Sequence, residues 1–193
     1  MRVIAGQFRG RPLRAPEGDH TRPTTDRVKE SLMSTLYSAF GPLDGARVLD
    51  AFAGSGALGI ECLSRGAESA TFYELDKGAQ AALLANIAAL KIAPDRAVVR
   101  KADVLKNPPA YGAPFDVVLA DPPYDLPADE VFGLIDRLRA GGLLAPDAVV
   151  IYEHAAKSDV AAYVGQRYGD AVEIVAAKRF GKTKTGAAVL RFA

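Results

Sequence analysis

Asp121-Pro122-Pro123-Tyr124 is the stretch of this sequence whose residue types could do chemistry at short range. It directly follows the apolar run Phe115-Asp116-Val117-Val118-Leu119-Ala120, which reads as a buried strand, so it stands at a strand's carboxyl end. Two successive prolines fix φ and remove two N–H donors, leaving rigid carbonyl oxygens beside the Asp121 carboxylate. Such acceptors suit an exocyclic amino group. That nitrogen is a poor nucleophile because its lone pair is spread into the ring. Accepting its N–H bonds holds it toward pyramidal geometry and aims the lone pair at a methyl donor. Tyr124 offers a face on which a base taken out of its stack can lie. Asp121 need not be a strong base, since the proton becomes acidic once the methyl has moved.

A methyl donor needs its own site, and the run Val48-Leu49-Asp50-Ala51-Phe52-Ala53-Gly54-Ser55-Gly56-Ala57-Leu58-Gly59 has the form of one. It reads as a short buried strand, a tight glycine turn and the first turn of a helix. The turn leaves N–H groups pointing outward, and the missing Cβ atoms let a ligand approach the backbone. Gly54 to Gly59 match G-x-G-x-x-G, and Glu74 lies twenty residues past Gly54, where an acid meets ribose hydroxyls. Dinucleotides and S-adenosylmethionine both use such a turn. Here Asp50 ends the strand and Ala51, Phe52 and Ala53 precede the first glycine. An acid there repels a pyrophosphate but suits the cationic amino group and sulfonium of S-adenosylmethionine. Asp50, Phe52, Gly54, Gly56 and Glu74 are therefore the candidate cofactor residues.

Both stretches need a scaffold that brings strand ends to one edge. From residue 47 onward, strand and helix patterns alternate with short connections, the signature of a parallel sheet covered on both faces. Strands are expected at 70–74, 97–101, 115–120 and 148–153, and helices at 57–65, 80–90 and 128–139, with a weaker helix near Val160. Two last strands, 172–177 and 187–192, flank the polar turn Gly181-Lys182-Thr183-Lys184-Thr185-Gly186 and should pair as a hairpin. Ahead of the sheet, Thr21-Arg22-Pro23-Thr24-Thr25-Asp26 supplies N-cap candidates for a helix with the stripe Val28, Leu32, Leu36, Phe40, stopped by Gly41-Pro42. Residues 1 to 16, punctuated by Gly6, Gly10, Pro12 and Pro16, read as a small hairpin or extended arm outside the core.

The chain of 193 residues fits one domain, and its 49% hydrophobic and 24% charged content is globular. No apolar run approaches the roughly 20 residues of a membrane span, and the N-terminus shows no export signal. The single Cys62 allows no internal disulfide, in keeping with a reducing cytoplasm. Net charge is only +1, but its distribution is uneven. Residues 1 to 16 carry Arg2, Arg9, Arg11 and Arg14 and no acid. Residues 102 to 160 hold ten acids against four bases, and the last 33 residues six bases against two acids. Basic ends around an acidic middle fit a polyanion gripped by the ends.

The runs Arg22-Pro23-Thr24-Thr25-Asp26-Arg27-Val28-Lys29-Glu30, Asp50 to Gly59, Glu74-Leu75-Asp76 and Asp121-Pro122-Pro123-Tyr124, in this order, closely resemble the bacterial RsmD-type methyltransferases. The resemblance covers nearly the whole chain. It implies a Rossmann-like class I methyltransferase with a seven-stranded, mostly parallel sheet whose seventh strand is antiparallel. It divides the chain into a basic arm, residues 1–20, and a methyltransferase domain, residues 21–193. It further implies methyl transfer from S-adenosylmethionine to N2 of a guanine in small-subunit ribosomal RNA, of the guanine-966 type, on RNA or the assembled 30S subunit. Glu74 would hold the ribose hydroxyls, Asp103 the adenine amino group, and Thr24 and Thr25 the methionine end. Arg2, Arg9, Arg11, Arg14 and Arg22 would meet RNA.

Asp-Pro-Pro-Tyr is shared with adenine-N6 and cytosine-N4 methyltransferases, so it selects the chemistry but not the base. An adenine-N6 methyltransferase, a nicotinamide-dependent oxidoreductase and a non-catalytic RNA-binding module stay as alternatives. Gly181-Lys182-Thr183 looks like the end of a phosphate loop, but the earlier glycine it requires is Ala176. Lys178, Arg179, Lys182 and Lys184 form a basic hairpin tip. His20 and His154 lack companions at ligand spacing, so no metal is expected. Cys62, Asp116 and Glu153 read as structural.

Overall fold

The computed structural model describes residues 1–16, 26–123, 125–180 and 185–192. Helix α1 (Asp26–Phe40) precedes an alternating series: β1 (Arg47–Asp50), α2 (Ala57–Ser64), β2 (Ser69–Tyr73), α3 (Lys77–Ala89) and β3 (Ala97–Arg100). The second half holds β4 (Phe115–Ala120), α4 (Ala128–Ala140), β5 (Leu144–Ala155), α5 (Val160–Tyr168), β6 (Val172–Arg179) and β7 (Thr185–Phe192). The strands form one seven-stranded sheet in the order β3-β2-β1-β4-β5-β7-β6. Every pairing is parallel up to β5, while β7 runs antiparallel to both β5 and β6. The sheet is thus Rossmann-like, with the antiparallel seventh strand and the final hairpin pairing that were expected.

Strands buried on both faces need apolar residues on both, and β1, β4 and β5 supply them with Val48-Leu49, Val117-Val118-Leu119 and Val149-Val150-Ile151. One face packs on Leu32 and Leu36 of α1, Ile60 and Leu63 of α2 and Leu83 of α3. The other packs on Phe132, Leu134 and Ile135 of α4 and on Val160 and Val164 of α5. Among the described residues no helix is long and apolar enough to cross a membrane.

Three elements differ from expectation. Helix α3 begins at Lys77 instead of Gln80, because the Asp76 carboxylate accepts from Ala79 N at 2.8 Å and caps it. Strand β5 is longer, since pairing resumes before Pro146 and Asp147, where the register to β4 shifts between Phe115 and Val117 and Asp147 takes φ 59°.

The largest difference lies in residues 1–16, which are part of the core and not an appendage. Arg2 and Pro12 pair antiparallel, and Val3 and Leu13 are buried with the α1–α2 side of the sheet. Glu61 explains the docking. It is a fully buried acid on α2, and it accepts Ile4 N at 2.8 Å and Ala5 N at 3.0 Å. Its charge is balanced by Lys29 at 3.4 Å and Arg65 at 2.9 Å, while Lys29 also donates to the Arg2 carbonyl. Burial lowers the Lys29 ammonium below its usual range, with Glu61 opposing that shift. The boundary expected at residue 20 falls outside the described residues.

Candidate active site

The carboxyl ends of β1, β2, β4 and β5 meet at one edge, where an open α/β sheet binds ligands. The glycine turn is built there by backbone hydrogen bonds: Ala51 N to Leu119 O and Ala53 N to Tyr73 O, both 2.9 Å, and Gly56 N to Ala53 O at 2.7 Å. Gly54 and Gly56 both take left-handed φ, 55° and 79°. Their roles differ. A Cβ on Gly56 would meet Leu83 Cδ1 at 2.3 Å, whereas one on Gly54 would enter open space. Gly59 is a packing glycine, because a Cβ there would lie 2.4 Å from Phe72 Cε1.

Glu74, the expected ribose acceptor, clasps this turn. Its two oxygens accept Gly54 N at 2.6 Å and Asp76 N at 2.7 Å. Each oxygen keeps a lone pair for an added donor. Asp50 is 2% exposed and accepts Gly59 N at 3.0 Å, so it fastens the first turn of α2 to the end of β1. Burial pushes its carboxyl up to about 7. The Gly59 bond opposes that shift, and the carboxylates of Asp121 and Glu74 add to it. A cation placed beside Asp50 would favour its ionised form. Phe52 is half-buried against the α4–α5 side, and Asp103 accepts Leu105 N at 2.9 Å in the turn after β3.

Asp121 stands one residue past the end of β4. Burial raises its carboxyl to about 6, and no hydrogen bond reaches it among the described residues. Pro122 is buried and Pro123 exposed. Asp50 pairs with Leu119 and Ala120 with Tyr152, so alternation carries Asp50, Asp121 and Glu153 onto the same face of the sheet. The structure therefore gathers Asp50, Gly54, Gly56, Glu74 and Asp121 at one edge. Thr24, Thr25, Arg22 and Tyr124 lie outside the described residues, as do Lys182 and Lys184.

Of the expected RNA-facing arginines, Arg2, Arg9, Arg11 and Arg14 are described, and they are exposed but not equally free. Arg2 pairs with Asp26 at 3.0 Å, and Arg11 donates to Ala89 O at 2.8 Å. The side chains of Arg9 and Arg14 have no partner among the described residues. At the hairpin tip, Lys178 donates to Thr35 Oγ1 at 2.6 Å. Asp116 accepts Arg47 N at 2.8 Å, a structural role as expected, and Cys62 is buried.

Sequence reasoning missed two residues. Asn86 accepts Arg14 N at 2.8 Å and donates to Arg14 O and Ser55 O at 3.0 Å, tying the arm to the glycine turn. Gln80 donates to Glu74 O at 2.8 Å and Leu75 O at 3.1 Å, fixing the segment after β2. Both are buried amides on the apolar helix Lys77-Gly-Ala-Gln-Ala-Ala-Leu-Leu-Ala-Asn-Ile-Ala-Ala89, and that misfit was the available signal. Glu153, read from the sequence as structural, is a buried carboxyl whose Oε1 has no hydrogen-bond partner among the described residues.

Comparison with known proteins places the chain in a family. The family model described as Conserved hypothetical protein 95 matches residues 1–187. Ribosomal RNA small subunit methyltransferase D of Escherichia coli strain K12 is 39% identical over 153 residues, covering 79% of this chain and 74% of that protein. Its namesake in Haemophilus influenzae is 40% identical over 156 residues, covering 79% and 78%. The solved structure of yhhF from Escherichia coli superposes with a TM-score of 0.79 at 33% identity, over 100% of this chain and 97% of that one. A Thermus thermophilus 16S rRNA N2 G1207 methyltransferase, solved with AdoMet and guanosine, has a TM-score of 0.67 at 20% identity, over 90% of this chain and 45% of that one, a likeness of fold. With the model spanning nearly its full length, the chain belongs to the Conserved hypothetical protein 95 family, that of the ribosomal RNA small subunit methyltransferase D proteins.

Proposed function

We infer that this protein is an S-adenosylmethionine-dependent methyltransferase that modifies N2 of a guanine in small-subunit ribosomal RNA, the guanine-966 type. The observation that carries the reading is the gathering of Asp50, the Gly54–Gly56 turn, Glu74 and Asp121 at one sheet edge. The glycine turn receives the cofactor, with Glu74 accepting the ribose hydroxyls and Asp50 the cationic methionine end. Leu75, 65% exposed beside Glu74, offers an apolar surface to the adenine, and Asp103 its second acceptor. Thr24 and Thr25 close the methionine side.

Asp121 and the Pro122 carbonyl accept the two N–H bonds of the guanine amine, and Tyr124 stacks on the base. The nitrogen lone pair bonds the methyl carbon as the C–S bond breaks, its electron pair staying on sulfur, and Asp121 receives the released proton. Arg9 and Arg14, and with them Arg2, Arg11 and Arg22, meet RNA phosphates. The proposed setting is cytoplasmic, and the substrate is small-subunit ribosomal RNA, free or assembled in the 30S subunit.

The test is incubation with labelled S-adenosylmethionine and unmethylated 16S rRNA, both free and as 30S subunits, followed by nucleoside analysis. N2-methylguanosine is expected, and Asp121→Ala should nearly abolish it while leaving cofactor affinity within a few fold. N6-methyladenosine would move the reading to the adenine class. NADH binding without methyl transfer, or RNA binding without turnover, would remove it.

A further inference from the structure

Two carboxyl groups stand side by side where the substrate amine is to be held. Ala120 and Tyr152 are register partners, so the next residues of these parallel strands, Asp121 and Glu153, are neighbours on one face. Glu153 is 5% exposed, and among the described residues neither its buried Oε1 nor the Asp121 carboxylate has a hydrogen-bond partner. Two unpaired anions at neighbouring positions, one of them buried, are costly, whereas a pair holding one proton is much less so.

We propose that Glu153 is a positioning residue acting through Asp121: the pair shares a single proton, carried by Glu153, which keeps the charge on Asp121 and turned toward the substrate amine. This rests on the reading of Asp121 given above. Other charges do not compete for the role. On β7 the partner of Glu153 is Ala187. On α1, which packs on β5, Asp26 is paired with Arg2 and Lys29 with Glu61, while Arg27 and Glu30 are exposed. Asp50 lies beyond Asp121 on β1, and those two carboxyls repel each other, but Asp50 is held by Gly59 N and does not act on Glu153, whose charged neighbour is Asp121. Glu153 is buried whereas Asp121 is partly exposed, and burial with the neighbouring Asp121 raises Glu153, so Glu153 is the member that holds the proton near pH 7. The amine proton released by methyl transfer passes to Asp121; the pair then holds two protons and returns one to solvent.

The test compares the pH dependence of single-turnover methyl transfer in the wild type, Glu153→Gln and Glu153→Leu, with S-adenosylmethionine affinity measured alongside. Gln keeps a neutral donor, so its rate at pH 7 should stay within about threefold of wild type. Its rate should also persist above pH 8, where the wild type falls as Glu153 ionises. Leu removes the donor to the charged form of Asp121, so the acid limb should move to higher pH and the rate at pH 7 fall about tenfold or more. Equal losses in both variants with cofactor affinity intact, or a wild-type profile in either, overturns the proposal. If Glu153→Leu does not fold, the alkaline limb of Glu153→Gln decides alone. Asp121→Ala is run in parallel: full turnover there would refute the reading of Asp121, whereas a dead Asp121→Ala with an unchanged Glu153→Leu refutes only the pair.

Discussion

Gly54 and Gly56 share a motif and a positive φ, yet they should fail in different ways when given a side chain. At Gly56 the φ of 79° costs an L-residue about 1–2 kcal/mol. The added Cβ would also lie 2.3 Å from Leu83 Cδ1, 3.2 Å from Ile60 Cδ1 and 3.5 Å from Phe72 Cε1. Leu83 and Ile60 are fully buried and have no solvent to swing into, so overpacking adds about 1–3 kcal/mol. Gly56→Ala should therefore lose about 2–5 kcal/mol, a large share of a typical domain's stability. At Gly54 nothing lies within 4 Å, so only the conformational cost of about 1–2 kcal/mol applies. Urea titration of both variants reads the difference as separate midpoints at similar slope. Leu83→Ala combined with Gly56→Ala should cost less than the sum of the two single changes, because the smaller residue makes room for the Cβ. By contrast, Gly54→Ala should weaken S-adenosylmethionine binding beyond its effect on stability, since its Cβ enters the ligand side of the turn. Equal midpoints for the two alanine variants, or additive costs in the double variant, would refute this division of labour.

Two further outcomes are expected. Glu153 and Asp50, raised to about 8 and about 7, keep protons in the folded chain that the unfolded chain releases near pH 4. Their contribution to stability should fall as pH rises from about 4 to about 8, and denaturation of Glu153→Gln across that window should show a flatter dependence. For the arm, Arg9→Ala with Arg14→Ala should leave fold and cofactor binding intact and make the log-log salt slope of RNA affinity shallower by roughly 0.7 to 0.9 per lost phosphate contact. An unchanged slope would assign RNA binding to other residues.

The strand-to-helix alternation was legible because each buried strand carries its own apolar run, and the ends of such strands must share an edge. That alone placed Asp50, Gly54, Glu74 and Asp121 together. What escaped depends on contacts between distant residues. Val3 and Leu13 sit among glycines and prolines and look like surface until the buried Glu61 of α2 is seen to hold the backbone of Ile4 and Ala5. The start of α3 was hidden because Gly78 is a poor helix residue, although Asp76 caps the helix just before it. The neighbourhood of Asp121 and Glu153 depends on the β4–β5 register, which a bulge beside Pro146 and Asp147 displaces from any spacing that counting residues could reveal.

Strand β7 has a consequence for how the molecule is assembled. It lies inside the sheet between β5 and β6, although it follows both in the chain. A ribosome delivering this protein from its N-terminus therefore presents β5 with one bare edge until residues 185–192 have emerged. That edge carries Val149, Val150 and Ile151, a template on which another chain could add a strand. A nascent or truncated chain stopped before Thr185 would keep every element of the glycine turn and still be prone to pair with its neighbours. Closure of the sheet by residues so late in the chain thus makes the last hairpin the step that removes this template.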